Sequence, residues 1–301
     1  MNATLRAYAD LLRIQFSFAW PLLFCSGYLL AIGLSGTVIW ADLLKVALIG
    51  FFGFEAGLVL NDYNDREIDK KSAGDNRLTC YWRFYGTRPL AEGLIPPRHA
   101  LILFCLFTGI AAVLILTLPY PHSIYVLLIM AYSYVVEIFY QEEKRIPQVF
   151  PFPQVIGRTD FALFPVAGYI CAGLPDITAA LYFLFFYPFA LAHLGANDLI
   201  DEANDRARGL RTVPTIYDAE RTRIWIAGFT IIHAMMAFLF ATRLGPVPVA
   251  GIASGLVLLV IANIIILKGK TPDAALKALP LFHGAMVIYA AGICAGTLLA
   301  V

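Results

Sequence analysis

Apolar residues in this chain come in blocks of about twenty separated by short polar stretches, and that blocking restricts the fold more than any other feature. A helix needs about 20 predominantly apolar residues to cross the hydrocarbon of a bilayer. Blocks of that kind lie at about 14–33, 42–60, 100–118, 122–140, 155–173, 178–197, 223–242, 247–267 and 279–300. Pro21, Pro165 and Pro188 fall inside such blocks, which membrane helices tolerate because neighbouring groups re-satisfy the freed carbonyls. Charged residues make up 14% of the chain, against roughly 25% in soluble domains. The expectation is an all-α polytopic membrane protein of about nine transmembrane helices. It is read as one unit over residues 1–301, with polar cap loops at about 61–99 and 198–222.

The basic residues orient the spans. All of the 22 Lys and Arg except Lys45 and Arg243 fall before the first block, or in even-numbered connections and at their junctions with the neighbouring blocks. By the positive-inside rule this predicts a cytoplasmic N-terminus and cytoplasmic caps, in an integral, multi-pass cell-membrane protein. The first block is longer than the apolar core of a signal peptide and is expected to stay as the first span. A formal net charge of +1 gives no basis for nucleic-acid binding. The cysteines Cys25, Cys80, Cys105, Cys171 and Cys294 are odd in number and scattered, so neither a disulfide framework nor a thiolate metal site is expected. The histidines are equally dispersed; His193 stands out, one helical turn before an acidic cluster.

Two ten-residue segments repeat one pattern. Asn61-Asp62-Tyr63-Asn64-Asp65-Arg66-Glu67-Ile68-Asp69-Lys70 ends the second block, and Asn197-Asp198-Leu199-Ile200-Asp201-Glu202-Ala203-Asn204-Asp205-Arg206 ends the sixth. Both read N-D-x-x-D-x-x-x-D followed by a base. On a helix the i, i+3, i+7 spacing puts the three carboxylates within about 60° of one another. Carboxylates at membrane depth are costly unless paired or metal-bound. Oxygen-only ligands of this kind suit Mg²⁺, which takes one or two carboxylates plus phosphate oxygens and water. Asp62, Asp65, Asp69, Asp198, Asp201 and Asp205 are therefore the metal-ligand candidates, with Asp65, Asp69, Asp201 and Asp205 those expected to be catalytic.

Charge counting refines the reading. Six aspartates would repel a diphosphate, which carries roughly −3; two Mg²⁺ bring +4 and bridge the two. Arg66, Lys70, Arg88, Lys144, Arg145 and Arg206 are the bases expected to neutralise the remainder, with Asn61 and Asn197 beside them as substrate-binding candidates. Solvated helix ends with ordinary i, i+4 pairs would account for one such motif, but less readily for a pattern repeated at matched depth.

With these motifs the chain resembles the UbiA superfamily of intramembrane prenyltransferases over essentially its whole length. Ala56-Gly57-Leu58-Val59-Leu60 leads into the first motif as in that family. Arg88-Pro89-Leu90 with Glu92-Gly93-Leu94-Ile95 looks like another family segment. Asp205-Arg206-Ala207-Arg208-Gly209, followed by Arg211-Thr212-Val213-Pro214, is similar to the D-R-x-x-G form of the menaquinone and archaeal ether-lipid branches. Tyr132-Ser133 followed by Lys144-Arg145 resembles a stretched form of a fourth signal. The stretches 69–88 and 132–144 are longer than the family pattern. The resemblance implies helices around a central cavity, and two Mg²⁺ clamping a prenyl diphosphate. It also implies transfer of the prenyl group to a lipid-soluble or aromatic acceptor, either a quinone precursor or a geranylgeranylglyceryl phosphate-type lipid; no obligatory protein partner is evident in the sequence.

Arg13, Glu137, Arg158 and Asp160 are the remaining polar residues inside or beside apolar blocks. Arg13 and Arg158 are the substrate-binding candidates among them, with lipid-headgroup anchoring the competing role. Arg77 and Arg83 would either close over a diphosphate or be solvated. Phe16, Phe18 and Phe164 are candidates for stabilising a prenyl cation through their ring faces. Two other functions fit the acidic motifs. One is a cation transporter, disfavoured because both clusters lie at one membrane face rather than near the midplane. The other is a terpene cyclase or phosphoribosyl transferase of the same superfamily.

Overall fold

A computed structural model describes residues 2–33 and 36–299, and its regular elements are helices. In chain order they are α1 Ala3–Leu11, α2 Ala19–Ile32, α3 Trp40–Asp69, α4 Arg77–Trp82, α5 Pro97–Leu116, α6 His122–Glu143, α7 Phe152–Gly157, α8 Thr159–Ile170, α9 Ile177–Arg208, α10 Val213–Tyr217, α11 Ala219–Ala241, α12 Pro246–Gly269 and α13 Pro272–Leu298. Among the described residues seven helices are long and apolar enough to cross a membrane: α3, α5, α6, α9, α11, α12 and α13.

The first and fifth apolar blocks depart from the expected spans. Residues 12–18 form turns rather than helix, and α2 begins only at Ala19, so Pro21 lies in its first turn, where a missing N–H costs nothing. Arg13 takes φ +44° there, a conformation unfavourable for a residue with a Cβ. The fifth block breaks at Arg158 into the short α7 and the twelve-residue α8. Hydropathy averages over such breaks. The two caps are also shorter than read from sequence. α3 runs on to Asp69 and α9 to Arg208, so all six motif aspartates lie on helix. α9 stops at Gly209, which takes the left-handed φ of +73° that glycine adopts at least cost.

Neighbouring helices close a ring: α2 on α3, α3 on α6, α6 on α8, α8 on α9, α9 on α11, α11 on α12, α12 on α13 and α13 back on α2, with α5 packed on α3 and α6. α2 also packs on α8 and α13 on α9. The α2–α8 approach depends on Gly27 and Gly168. A Cβ on either would lie 1.9 Å from a backbone oxygen of the facing helix, that of Pro165 or Phe24. Small residues at such crossings let membrane helices pack backbone to backbone. Tyr182, Phe185, Phe186, Phe189, Phe240, Phe282 and Tyr289 fill the core between α9, α11 and α13. A second cluster, with Ala7, Leu11, Val59, Leu90, Ile95 and Ala100, fastens α1 and the first cap to α3 and α5. The five cysteines are unpaired.

Candidate active site

The two acidic stripes face each other across one cavity of about 240 Å³. Asn61, Asp62, Asp65 and Asp69 reach it from α3, and Asn197, Asp198, Asp201 and Asp205 from α9. Arg13, Arg83, Arg88, Lys144, Arg158 and Arg208 line it as well. Its wall therefore carries six carboxylates and six bases among the described residues, so the acid charge is balanced by the chain itself.

The pairing is specific. Asp62 takes Arg13 Nη2 at 3.0 Å and both its oxygens accept from Arg83 Nη2, at 2.9 and 2.8 Å. That anchorage accounts for the strained backbone at Arg13. Asp65 accepts from Lys144 Nζ at 2.9 Å, with Arg145 Nη2 at 3.5 Å. Asp69 meets Arg88 Nη1 at 2.6 Å and Arg208 Nη2 at 3.4 Å. Asp201 is held by Arg208 Nη1 at 3.0 Å and by Asn204 Nδ2 at 2.6 Å. Asp205 lies 3.7 Å from Arg208 Nη1 and accepts from Thr212 Oγ1 at 2.9 Å. Asp198 accepts from the backbone N–H of Val213 at 3.5 Å.

The first cap is built around these contacts. Asp10 is buried and accepts from the N–H groups of Tyr85 and Thr87 and from Thr87 Oγ1, at 2.7, 2.8 and 2.7 Å. This holds the chain so that Arg83 and Arg88 enter the cavity. Asn204 Oδ1 accepts from Ser72 Oγ at 2.7 Å and from the N–H of Ala73 at 3.1 Å, while its Nδ2 donates to Asp75 O at 2.7 Å. A residue inside the second motif thus fixes the loop that follows the first. Lys144 is placed likewise, its carbonyl accepting from Arg211 N at 2.7 Å.

Several expected site residues lie elsewhere. Arg66 donates to the carbonyl of Tyr63 and sits over its ring. Lys70 pairs with Glu67. Arg206 pairs with Glu202 on the exposed side of α9, its side chain 54% exposed. These three are outside the cavity lining. Each sits one residue beyond a stripe aspartate, and a one-residue step turns a helix by about 100°. Arg145 touches Asp65 from outside the lining. Arg77 is turned to Asp75 and Asp273; its hydrogen bonds hold Asp75 below the usual carboxylate range. Phe18 is 59% exposed, while Phe16 packs against Tyr81, Trp82 and His283.

Arg208 is the principal residue that the sequence reading passed over. Its side chain is 4% exposed and bridges Asp69 on α3 to Asp201 and Asp205 on α9. The signal was present: Arg208 lies seven residues after Asp201 and so on the same stripe, within about 20°. For Arg83, 6% exposed, closing over a diphosphate was one of the two expected roles; its pairing with Asp62 had no signal, because loop folding alone brings the two together.

Two further chambers follow the cavity, the first adjoining it and the second adjoining the first. One, of about 170 Å³, shares Arg13, Phe54, Leu58, Asn61, Arg158 and Phe161 with it, and adds Glu137 and Asp160. Asn61 Nδ2 donates to Glu137 Oε1 there at 2.7 Å. The second, of about 60 Å³, is almost wholly apolar and shares Gly53, Ser133, Tyr134 and Phe164 with the first. A charged chamber, a mixed one and an apolar one therefore lie in series.

Comparison with known proteins accords with this layout. Relatives include a digeranylgeranylglyceryl phosphate synthase of Natronomonas pharaonis, 29% identical over 60% of this chain and 58% of that protein. A 4-hydroxybenzoate octaprenyltransferase of Aeromonas salmonicida is 29% identical over 72% of this chain and 70% of its own length. The fold matches a UbiA homologue of Aeropyrum pernix K1 in its apo structure, with TM-score 0.74 at 16% identity, covering 93% of this chain and 97% of that one. It also matches a UbiA homologue of Archaeoglobus fulgidus bound to DMAPP and Mg²⁺, with TM-score 0.64 at 16% identity, covering 96% and 99%. Residues 18–287 match the UbiA prenyltransferase family itself. With nine-tenths of its length inside that match and its apolar helices closed around paired aspartate stripes, this chain is an integral membrane protein and belongs to the UbiA prenyltransferase family.

Proposed function

We propose that the chain transfers a prenyl group from an allylic diphosphate to a lipid-soluble or aromatic acceptor, with the diphosphate held between the two aspartate stripes. The observation that carries this reading is the balanced wall: six aspartates and six bases facing one cavity that continues through a mixed chamber into an apolar one. A wall of balanced charge suits a ligand that engages both signs. A metal–diphosphate complex does so, its cation taken by carboxylates and its phosphates by guanidinium and ammonium groups.

The donor set fits Mg²⁺. Asp62, Asp65 and Asp69 on one side and Asp198, Asp201 and Asp205 on the other offer oxygen ligands only. Among the described residues no three acidic or imidazole groups converge as a ready-made cage, which suits an ion that completes its shell with phosphate oxygens and water. Mg²⁺, two ions by the symmetry of the stripes, would supply the positive charge that lets phosphate approach the aspartates. The DMAPP and Mg²⁺ held by the Archaeoglobus homologue support the same assignment. Arg83, Arg88, Lys144 and Arg208 then stabilise the charge that develops on the leaving diphosphate. Phe54, Phe161 and the Trp20 ring stacked on Phe54 at 3.8 Å line the way to the side chambers. There they exclude water and present ring faces to a cation-like prenyl group. Arg13 and Arg158, at the junction of the polar and mixed chambers, are positioned for an acceptor carboxylate or phosphate. The distribution of basic residues supports a cytoplasmic N-terminus and cytoplasmic caps.

The test is label transfer from geranyl, farnesyl or geranylgeranyl diphosphate to 4-hydroxybenzoate or geranylgeranylglyceryl phosphate, using purified protein in detergent. Product that forms with Mg²⁺ and is lost with EDTA is the expected result. Metal flux into proteoliposomes without any prenylated product would favour the transporter reading instead.

A further inference from the structure

Prenylation leaves one proton to be removed, because the acceptor exchanges a C–H or O–H bond for its bond to the prenyl carbon. The carboxylates of the cavity are poorly placed to take it. Asp62, Asp65, Asp69 and Asp201 are each held by a base, and Asp198 and Asp205 are the remaining metal-ligand candidates. His193 is the one imidazole among the described residues lining the cavity.

His193 does not stand alone. Its Nε2 lies 2.9 Å from Nε2 of His283 on α13, and His283 Nδ1 lies 2.6 Å from the hydroxyl of Tyr81 on α4. Both histidines are buried and Tyr81 is half-buried. Two ring nitrogens at that separation share a single proton: one ring donates and the other accepts. The pair therefore has two tautomeric arrangements, and passing one proton along the row converts one into the other. Aromatic rings wall the row from the side. Phe189 is parallel to His193 at 6.2 Å, Trp82 stands edge-on to both imidazoles, and Phe16 packs on His283. Trp82 Nε1 also donates to Asn197 Oδ1 at 3.1 Å, and Gln15 Nε2 to Tyr81 O at 2.9 Å, so α4 is fixed at the outer end. Arg13 and Arg158 line the same cavity as His193, and the Arg13 guanidinium lies 5.8 Å from the Trp82 ring centre.

The geometry points to His193 as the base that takes the acceptor's proton, with His283 and Tyr81 relaying it from the cavity to the cap. The inference rests on the prenyl-transfer reading. In the step, the C–O bond of the donor breaks and its electron pair leaves with the diphosphate. An electron pair of the acceptor forms the new bond to the prenyl carbon. The acceptor's proton goes to His193 Nδ1, which is approached by Asn197 Nδ2 at 3.4 Å and by nothing shorter among the hydrogen bonds described. The proton on His193 Nε2 passes to His283 Nε2, and that on His283 Nδ1 to the Tyr81 oxygen, whose own proton passes to water at the cap, where Tyr81 is half-buried. His193 is the catalytic residue here; His283 and Tyr81 act through it.

The test uses full-length protein and whichever of the two acceptors above the wild type turns over. General-base catalysis contributes about 10²-fold or more, so H193A is expected to lose about 100-fold in kcat with little change in KM for the donor. Added imidazole should restore about tenfold of that loss, with more basic imidazoles restoring more. Y81F keeps the ring packed against Phe16, Trp82 and His283 and removes only the hydroxyl. It should lower kcat several-fold, leave KM unchanged, and alter the solvent deuterium isotope effect. Wild-type kcat in H193A, a loss that imidazole does not restore, or a Y81F protein identical to wild type in rate and isotope effect would each overturn the assignment. Absence of transfer by the wild type itself would overturn the prenyl-transfer reading and this inference with it. Transfer by wild type and H193A alike would sink this inference alone.

Discussion

Replacing Arg208 with alanine separates the buried charge network from its exposed surroundings. The guanidinium lies 3.0, 3.4 and 3.7 Å from Asp201, Asp69 and Asp205, and its side chain is 4% exposed. Removing one partner of a buried pair typically costs about 3–5 kcal/mol, because the remaining charge is left uncompensated. Asp69 keeps Arg88 at 2.6 Å, and Asp201 keeps Asn204 at 2.6 Å, so the low end applies. R208A is expected to lose about 3 kcal/mol of stability, about a hundredfold in the folding equilibrium. Mg²⁺ should return part of it by taking over the neutralisation of Asp201 and Asp205. R206A, two residues away, removes an exposed i, i+4 pair with Glu202 worth about 0.3–0.5 kcal/mol. Denaturant and thermal midpoints of the purified proteins, with Mg²⁺ and with EDTA, provide the assay. Equal midpoints for R208A and wild type in EDTA, or equal losses in R208A and R206A, would refute the reasoning.

The remaining predictions address the stripes, the packing and the chambers. D65N and D201N should abolish Mg²⁺-dependent transfer while the proteins stay folded; a Mg²⁺-induced rise in melting temperature, present in wild type and reduced in each variant, checks that metal binding is what was lost. G168V should fail to give monodisperse protein in detergent, because its Cβ would lie 1.9 Å from the Phe24 carbonyl oxygen; size-exclusion profiles report it. At Gly53 a Cβ meets nothing within 4 Å, and the residue lines both side chambers. G53F is therefore expected to leave stability unchanged and to lower turnover of geranylgeranyl diphosphate far more than that of geranyl diphosphate, as competition between the two donors would show.

Membrane class, the placing of the apolar helices and the two carboxylate stripes were legible in the sequence. Each is set by local periodicity: twenty apolar residues need a bilayer, and i, i+3, i+7 aspartates on a helix share a face whatever surrounds them. The same rule would have preferred Arg208 to Arg206, had it been applied to the bases as strictly as to the acids. What adjacency along the chain cannot give came only from the tertiary structure. The break at Arg158 and the turns at 12–18 escape a hydropathy average. Arg83 reaches Asp62 because Asp10 gathers the backbone of the first cap, and His193 meets His283 because α9 packs on α13, a contact 90 residues apart in sequence. Periodicity fixes which side of a helix a residue occupies. Which other helix or loop faces that side depends on how the ring closes, and the charge balance and proton path of the site both follow from that closure.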